Sequence, residues 1–231
     1  MANFTTSYRA PALEELYNFG PHLGNLAFEI GNEQLERERS QGIDLALRHH
    51  GEKVHATANF FFYDIQDFVF LAPTGEIKDG LTEAEYLQAD SRFAGSELRL
   101  DVSLHDSFWL NLGLDAVDAE LQETSESIPR IPPLRGHIGF EFRHRGLSFK
   151  PQVVMAGQRD DIFSSETRTA GYTVINLAAS YTIARQHFVH QLAVNVFNVG
   201  DRLYRNHASF IKDLAPEIGR GVRFTYTVKF F

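Results

Sequence analysis

The chain is predicted to be all-β, an antiparallel up-and-down transmembrane β-barrel with about ten strands present. Three observations predict it. The last residues alternate strictly, with Val222, Phe224, Tyr226, Val228 and Phe230 on one side and Arg223, Thr225, Thr227 and Lys229 on the other. Side chains alternate across a strand, so this segment has an oily face and a cationic one, as a wall between lipid and a wet lumen requires. The same alternation recurs along the chain, and short and long connections alternate between its repeats.

Taken in order, a first short strand is expected near Ala2 to Tyr8, followed at Ala10 to Tyr17 by one turn of helix. Ile43, Leu45 and Leu47 then alternate with Asp44, Ala46 and Arg48, and Val54 through Phe62 alternates with His55 through Tyr63. Leu98, Leu100 and Val102 interleave with Arg99 and Asp101; Phe108 through Leu114 interleaves with Trp109, Asn111 and Asp115. Ile138, Phe140 and Phe142 oppose His137, Glu141 and Arg143, and Phe149 and Val153 oppose Lys150 and Gln152. Ile175 through Tyr181 and Leu192 through Val196 complete the series before the terminal strand. Tight links fall near His49–Glu52, His105–Ser107, Arg143–Gly146 and Ala184–Gln186. Long ones fall at Arg9–Gln34, Ala72–Glu85, Glu123–Pro133, Asp160–Ala170 and Val199–Gly219. A tilted strand crosses a bilayer in roughly 9–11 residues, which each repeat supplies.

Composition bounds the function. The 231 residues are 43% hydrophobic and 13% aromatic, carry a formal charge of −8 and include no cysteine. Disulfide frameworks and thiolate metal sites are excluded, and the acidic balance speaks against a nucleic-acid partner, which wants a basic stripe. No run approaches the roughly 20 apolar residues of a membrane helix, which says nothing against a barrel. No nucleophile elbow, phosphate loop or zinc-protease motif is present, so no enzyme and no cofactor are expected. The carboxylates Asp160–Asp161 and Glu36–Glu38 lie in or beside loops and suit solvation.

Several segments resemble TonB-dependent outer-membrane receptors. Asn3 to Tyr17, reading NFTTSYRAPALEELY, is similar to a strand-to-loop segment of that family, and Phe28 to Asn32 with Leu35, Glu36 and Glu38 to the next one. Asn59 to Val69, Gly95 to Leu98, Ile128 to Leu134, Val194 to Asn198 and Leu203 to His207 follow in the family's order, ending with a terminal strand closed by Phe231. There the apolar series falls on Phe230, one residue from the commoner arrangement.

The resemblance implies a bacterial outer-membrane location and a receptor larger than this chain. Residues 1–231 are then the carboxyl-terminal segment of a barrel of about 22 strands, with the plug domain and the first half of the barrel absent. The implied partners are outer-membrane lipid, the rest of the receptor, the TonB system acting through the plug, and the barrel-assembly machinery. The implied function is TonB-energised uptake of a scarce solute such as a metal ion or metal chelate. Two other readings remain open at this point. A stand-alone small barrel would close the strands first to last as a pore, and a soluble β-sandwich would bury Val222, Phe224, Tyr226 and Val228 in a dry core.

The first long loop, Asn18 to Glu29, is similar to one in the receptor branch associated with zinc and related metals. Imidazole and carboxylate suit such ions, so His22, Glu29 and His207 are candidate metal ligands. The alternative is that His22 caps a Gly-Pro turn and His207 packs inside a folded loop. Arg205, with Arg202, Lys212 and Arg220, is a candidate contact for an anionic chelate, or belongs to a loop folded on itself. His55, His137, Asp115 and Glu141 should face the lumen.

Overall fold

The computed structural model describes residues 1–231. In chain order its elements are β1 (Ala2–Arg9), α1 (Leu13–Tyr17), β2 (Phe19–His22), β3 (Ala27–Ile30), β4 (Glu38–His50), β5 (Val54–Lys78) and β6 (Leu81–His105). They continue with β7 (Phe108–Leu121), β8 (Arg135–His144), β9 (Leu147–Ala156), β10 (Tyr172–Ala184), β11 (Phe188–Phe197) and β12 (Gly221–Phe230). One antiparallel wall runs β1-β4-β5-β6-β7-β8-β9-β10-β11-β12. The hairpin β2–β3 joins it sideways, through a short parallel pairing of β3 with β6.

The register explains why alternation was legible. Phe4, Ile43 and Phe62 stand level across three strands, and Leu112, Ile138, Val153 and Ile175 across four. One residue away, Asp101, Asn111, Gly139, Gln152 and Asn176 form a polar row on the other face. A slip of one residue would exchange the two faces along a whole strand, so the pattern holds the register. On the polar face three aromatic rings lie across glycines of the neighbouring strand: Tyr63 over Gly42, Phe61 over Gly95 and His137 over Gly113. A Cβ at Gly42 would sit 2.2 Å from the Tyr63 ring, so each glycine makes room for its partner. Asp115 pairs with Arg99 at 2.9 Å, and Glu141 holds Lys150 at 2.9 Å together with Arg143.

The sheet does not close on itself. β1 pairs only with β4 and β12 only with β11, so the self-closed small barrel is not formed. Nor is there a sandwich. Only 28 of 231 residues are buried, too few for two oily faces packed together, and Val222, Phe224 and Tyr226 are 55%, 77% and 60% exposed. Val228 is the exception and is half-buried.

One long connection is corrected. Residues 72–85 are not a loop: β5 and β6 are 25 residues each and stay paired to Lys78↔Leu81. At about 3.3 Å per residue each strand reaches on the order of 80 Å, far beyond a bilayer. Asp79 and Gly80 both have positive φ (52° and 78°), the conformation of a tight two-residue hairpin turn. Register shifts at Ile65/Phe68 and Pro73/Ile77 interrupt the alternation that would have revealed the extension. The projecting hairpin is the mast on which the loops pack. Phe70, Ala72, Ala119, Leu121, Ile128, Ile131 and Phe163 form the main core there, and Ala27, Leu71 and Ala84 a second. The dry core therefore belongs to the loop cap, and the wall has none.

Candidate functional site

The loop cap begins where β1 ends. Glu38, 8% exposed, takes two hydrogen bonds from Arg9 at 2.7 Å and one from the Val69 backbone N–H at 2.7 Å. The expected solvated carboxylate is thus a buried tie between the first strand and the hairpin mast. Burial alone would raise its pKa, but the bonds from Arg9 and Val69 outweigh it and hold the carboxyl below the usual range.

Above it, the hairpin β2–β3 is organised by Glu29. This side chain is only 2% exposed. Its Oε1 accepts from His22 Nδ1 at 2.7 Å and Asn25 Nδ2 at 2.7 Å; its Oε2 accepts from Asn18 Nδ2 at 3.0 Å and the Tyr86 hydroxyl at 3.2 Å. A carboxylate has about four lone-pair sites, so this one is saturated. Burial pushes the Glu29 carboxyl up, yet the His22 and Asn25 donors win and keep it ionised below the usual range. The His22 ring must carry its proton on Nδ1, which turns Nε2 away from Glu29 on a side chain that is 53% exposed.

The last loop is anchored from within. His207, 2% exposed, bonds through Nδ1 to Thr169 Oγ1 at 2.9 Å, and its Nε2 lies 3.8 Å from Glu166 Oε2. Glu166 Oε1 accepts the Arg130 backbone N–H at 2.9 Å, and the Arg130 guanidinium donates to Leu71 O at 3.1 Å while lying over the Phe210 ring. Lys212 donates to Thr167 O, and Arg205 Nε to Lys212 O at 2.9 Å. Burial drives the Glu166 carboxyl up and the Lys212 ammonium down.

The sequence-predicted residues therefore divide. His22 and Glu29 are brought together; His207 sits in a different cluster, and no group of three or more His, Asp or Glu gathers at metal-holding spacing. The three-ligand metal centre is not assembled, because the Glu29 oxygens are already spent and His207 is enclosed. Arg205 serves the last loop's own fold. Glu166 and Thr169 are loop anchors that lie in no motif and no periodicity, and Arg130, within the Ile128–Leu134 segment, was not singled out there.

Burial pushes His207 down to about 4, with the Lys212 and Arg159 charges acting in the same direction. Between that value and its ordinary one the unfolded loop binds more protons than the folded loop, so stability falls as pH falls. The anchor is fully held above about pH 6.5 and loses up to about 3 kcal/mol on acidification through about pH 4. Glu166, displaced upward, takes up its proton within the folded loop and offsets part of that loss. Protection factors of the backbone amides in residues 199–220, corrected for the intrinsic pH dependence of exchange, should fall from about pH 7 to about pH 5 in the unaltered protein, and markedly less in His207→Gln.

Comparison with known proteins completes the picture. Residues 1–199 match the family model described as TonB dependent receptor-like, β-barrel. Among solved structures, the copper transporter OprC superposes with a TM-score of 0.82 at 20% identity, over 99% of this chain and 36% of that one. A mutant of the ferric enterobactin receptor from Pseudomonas aeruginosa gives 0.69 at 17% identity, over 100% of this chain and 38% of that one. The FrpB iron transporter from Neisseria meningitidis gives 0.68 at 15% identity, over 96% and 36%. At these identities the likeness is one of fold. The chain spans 36–38% of the length of these solved chains.

Proposed function

The chain belongs to the TonB-dependent receptor-like β-barrel family of the outer membrane, and on that premise we propose that it forms the carboxyl-terminal part of the wall and loop cap of a receptor that imports a metal ion or metal chelate. In this reading further barrel strands, to a total of about 22, pair with the free edges of β1 and β12, and a plug fills the lumen. TonB acts on the plug, the barrel-assembly machinery places the wall, and lipid meets its apolar face. The observation that carries the proposal is the open ten-strand wall, oily on one face and polar on the other, capped at one end by interlocked loops. The structural neighbours, a copper transporter, a ferric enterobactin receptor and an iron transporter, support metal or chelate as the class of solute.

The candidate residues take different roles within it. His22 offers Nε2 to a metal or chelate at the cap surface, and Glu29 fixes that imidazole through Nδ1, as carboxylates behind metal-binding histidines do. One imidazole is not a site, so a bare ion would draw its other ligands from outside this chain. His207 and Arg205 hold the last loop that walls the vestibule.

The test is uptake by cells carrying or lacking the encoding gene, using radiolabelled zinc, copper and ferric chelates. Uptake of one of these is expected to need both the gene and an energised inner membrane. Gene-dependent passage that survives collapse of the proton gradient would indicate a passive pore and sink the proposal.

A further inference from the structure

The apolar face of the wall has a gap at its loop end. Leu114, Gly136, Met155 and Thr173 stand level across β7 to β10, two residues beyond the apolar row of Ile138 and Val153. Gly136 brings no side chain to that row, and Gly157 after β9 and Gly171 before β10 bring none above it. The result is a recess of about 710 Å³ walled by Leu114, Leu134, Met155 and Thr173. Its lining includes one charged residue, Arg202, and no carboxylate. Asn198 fixes the Arg202 backbone from both sides, accepting from its N–H and donating to its carbonyl, each at 2.8 Å. The Arg202 guanidinium is exposed and has no acceptor or counter-ion in the protein. The adjacent carboxylate, Asp201, accepts instead from the Arg220 backbone N–H at 2.8 Å. Leu203 and Ile218, exposed apolar side chains at the same loop base, continue the oily surface around Arg202.

We propose that this recess holds a phosphorylated, acylated lipid of the outer leaflet, with an acyl chain lying in the gap and a headgroup phosphate meeting Arg202. The surroundings select that occupant. The recess continues the face that the lipid of the outer membrane covers, so a chain reaches it without leaving the bilayer. Methylenes fill the space where the glycines leave no side chain and restore close packing along the row. At the edge of hydrocarbon an exposed guanidinium draws an anion, and phosphate accepts its paired N–H donors. A soluble anion would meet Arg202 and leave the recess empty. An uncharged lipid would do the reverse. The long loops leave the wall at this end, which in the import reading faces outward, where the leaflet is built of phosphorylated, multiply acylated glycolipid. The site depends on that placement in the membrane and not on which solute is imported, and it uses neither His22 nor Glu29.

The experiment is native mass spectrometry of the assembled receptor, extracted from outer membranes in mild detergent, stripped of lipid and mixed with lipid A or its dephosphorylated form. Lipid A should be held at least about tenfold more tightly than the dephosphorylated form, and Arg202→Gln should abolish that difference. Gly136→Leu should weaken both lipids by filling the recess; its Cβ would meet Gly113 O at 3.3 Å and Leu114 Cδ1 at 3.5 Å, which a small shift accommodates. Gel mobility before and after boiling checks folding, and where Gly136→Leu does not fold, Thr173→Leu narrows the same recess from β10. Equal retention of the two forms would mean lipid adhering to the wall without a headgroup site. A phosphate preference unchanged in Arg202→Gln would place the headgroup elsewhere, and binding unchanged in the folded filling variant would leave the recess unused. Phosphatidylglycerol competing as well as lipid A would mean an unselective contact with anionic lipid. Each of these results overturns the proposal. Import is not measured, so failure here is distinguishable from failure of the import reading.

Discussion

Replacing Glu29 with alanine is expected to release the first loop from the hairpin mast while leaving the membrane wall intact. The carboxylate is the common acceptor for Asn18, His22 and Asn25 of the first loop and for Tyr86 of β6, two separate stretches of chain. Removing it strands the half-buried donors of Asn18 and Tyr86, whereas the outward-turned His22 can rehydrate. An orphaned buried donor costs about 1–3 kcal/mol, so a local loss on the order of 3 kcal/mol follows. Glu29→Gln keeps the volume but turns an amide NH2 toward two donors, and should fall between alanine and the unaltered protein. Hydrogen exchange over residues 13–32 and protease cleavage between Asn18 and Ala27 would read the effect. Unchanged protection in Glu29→Ala would show that the parallel pairing of β3 with β6 holds the loop without the carboxylate.

That hub also marks where sequence reasoning stopped. The wall was legible because a sheet with one oily face imposes a period of two, a local signal needing no knowledge of neighbours. Phe224 and Tyr226 declare their side within five residues of chain, and the structure leaves both exposed. The loop cap has no such periodicity. Tyr86 reaches Glu29 across 57 residues, and Arg130 reaches Leu71 across 59, by contacts that leave no trace in spacing. Glu29 and His207 stood out because carboxylate and imidazole are metal-ligand types, but residue type cannot tell a free ligand from a saturated acceptor. The Asp79-Gly80 turn was a stronger local signal than the reading allowed. It was masked by Pro73 and the register shifts on either side of it, which made a continuous hairpin resemble a loop.

The wall's two faces make the sharpest contrast between neighbouring positions. Ile138, 41% exposed and flanked by Leu112 and Val153, lies in an apolar row. Gln152, flanked by Gly139 and Asn176, lies one residue out of phase in the polar row and lines a recess of about 400 Å³. Arginine at Ile138 would set a guanidinium among lipid chains, at about 2–4 kcal/mol if the position is near the bilayer midplane. Arginine at Gln152 would keep its guanidinium in the wet polar recess, whose lining includes Asp101, Asn111 and Asn176, and should be close to neutral. Denaturant titration of the two variants refolded in lipid vesicles should therefore differ by that amount, and only Ile138→Arg should lose yield in the outer membrane. The contrast isolates the face, because both changes introduce the same side chain into adjoining strands of the same wall. Were the two equally tolerated, the apolar row would not be meeting lipid, and the reading of this sheet as a membrane wall would fail with it.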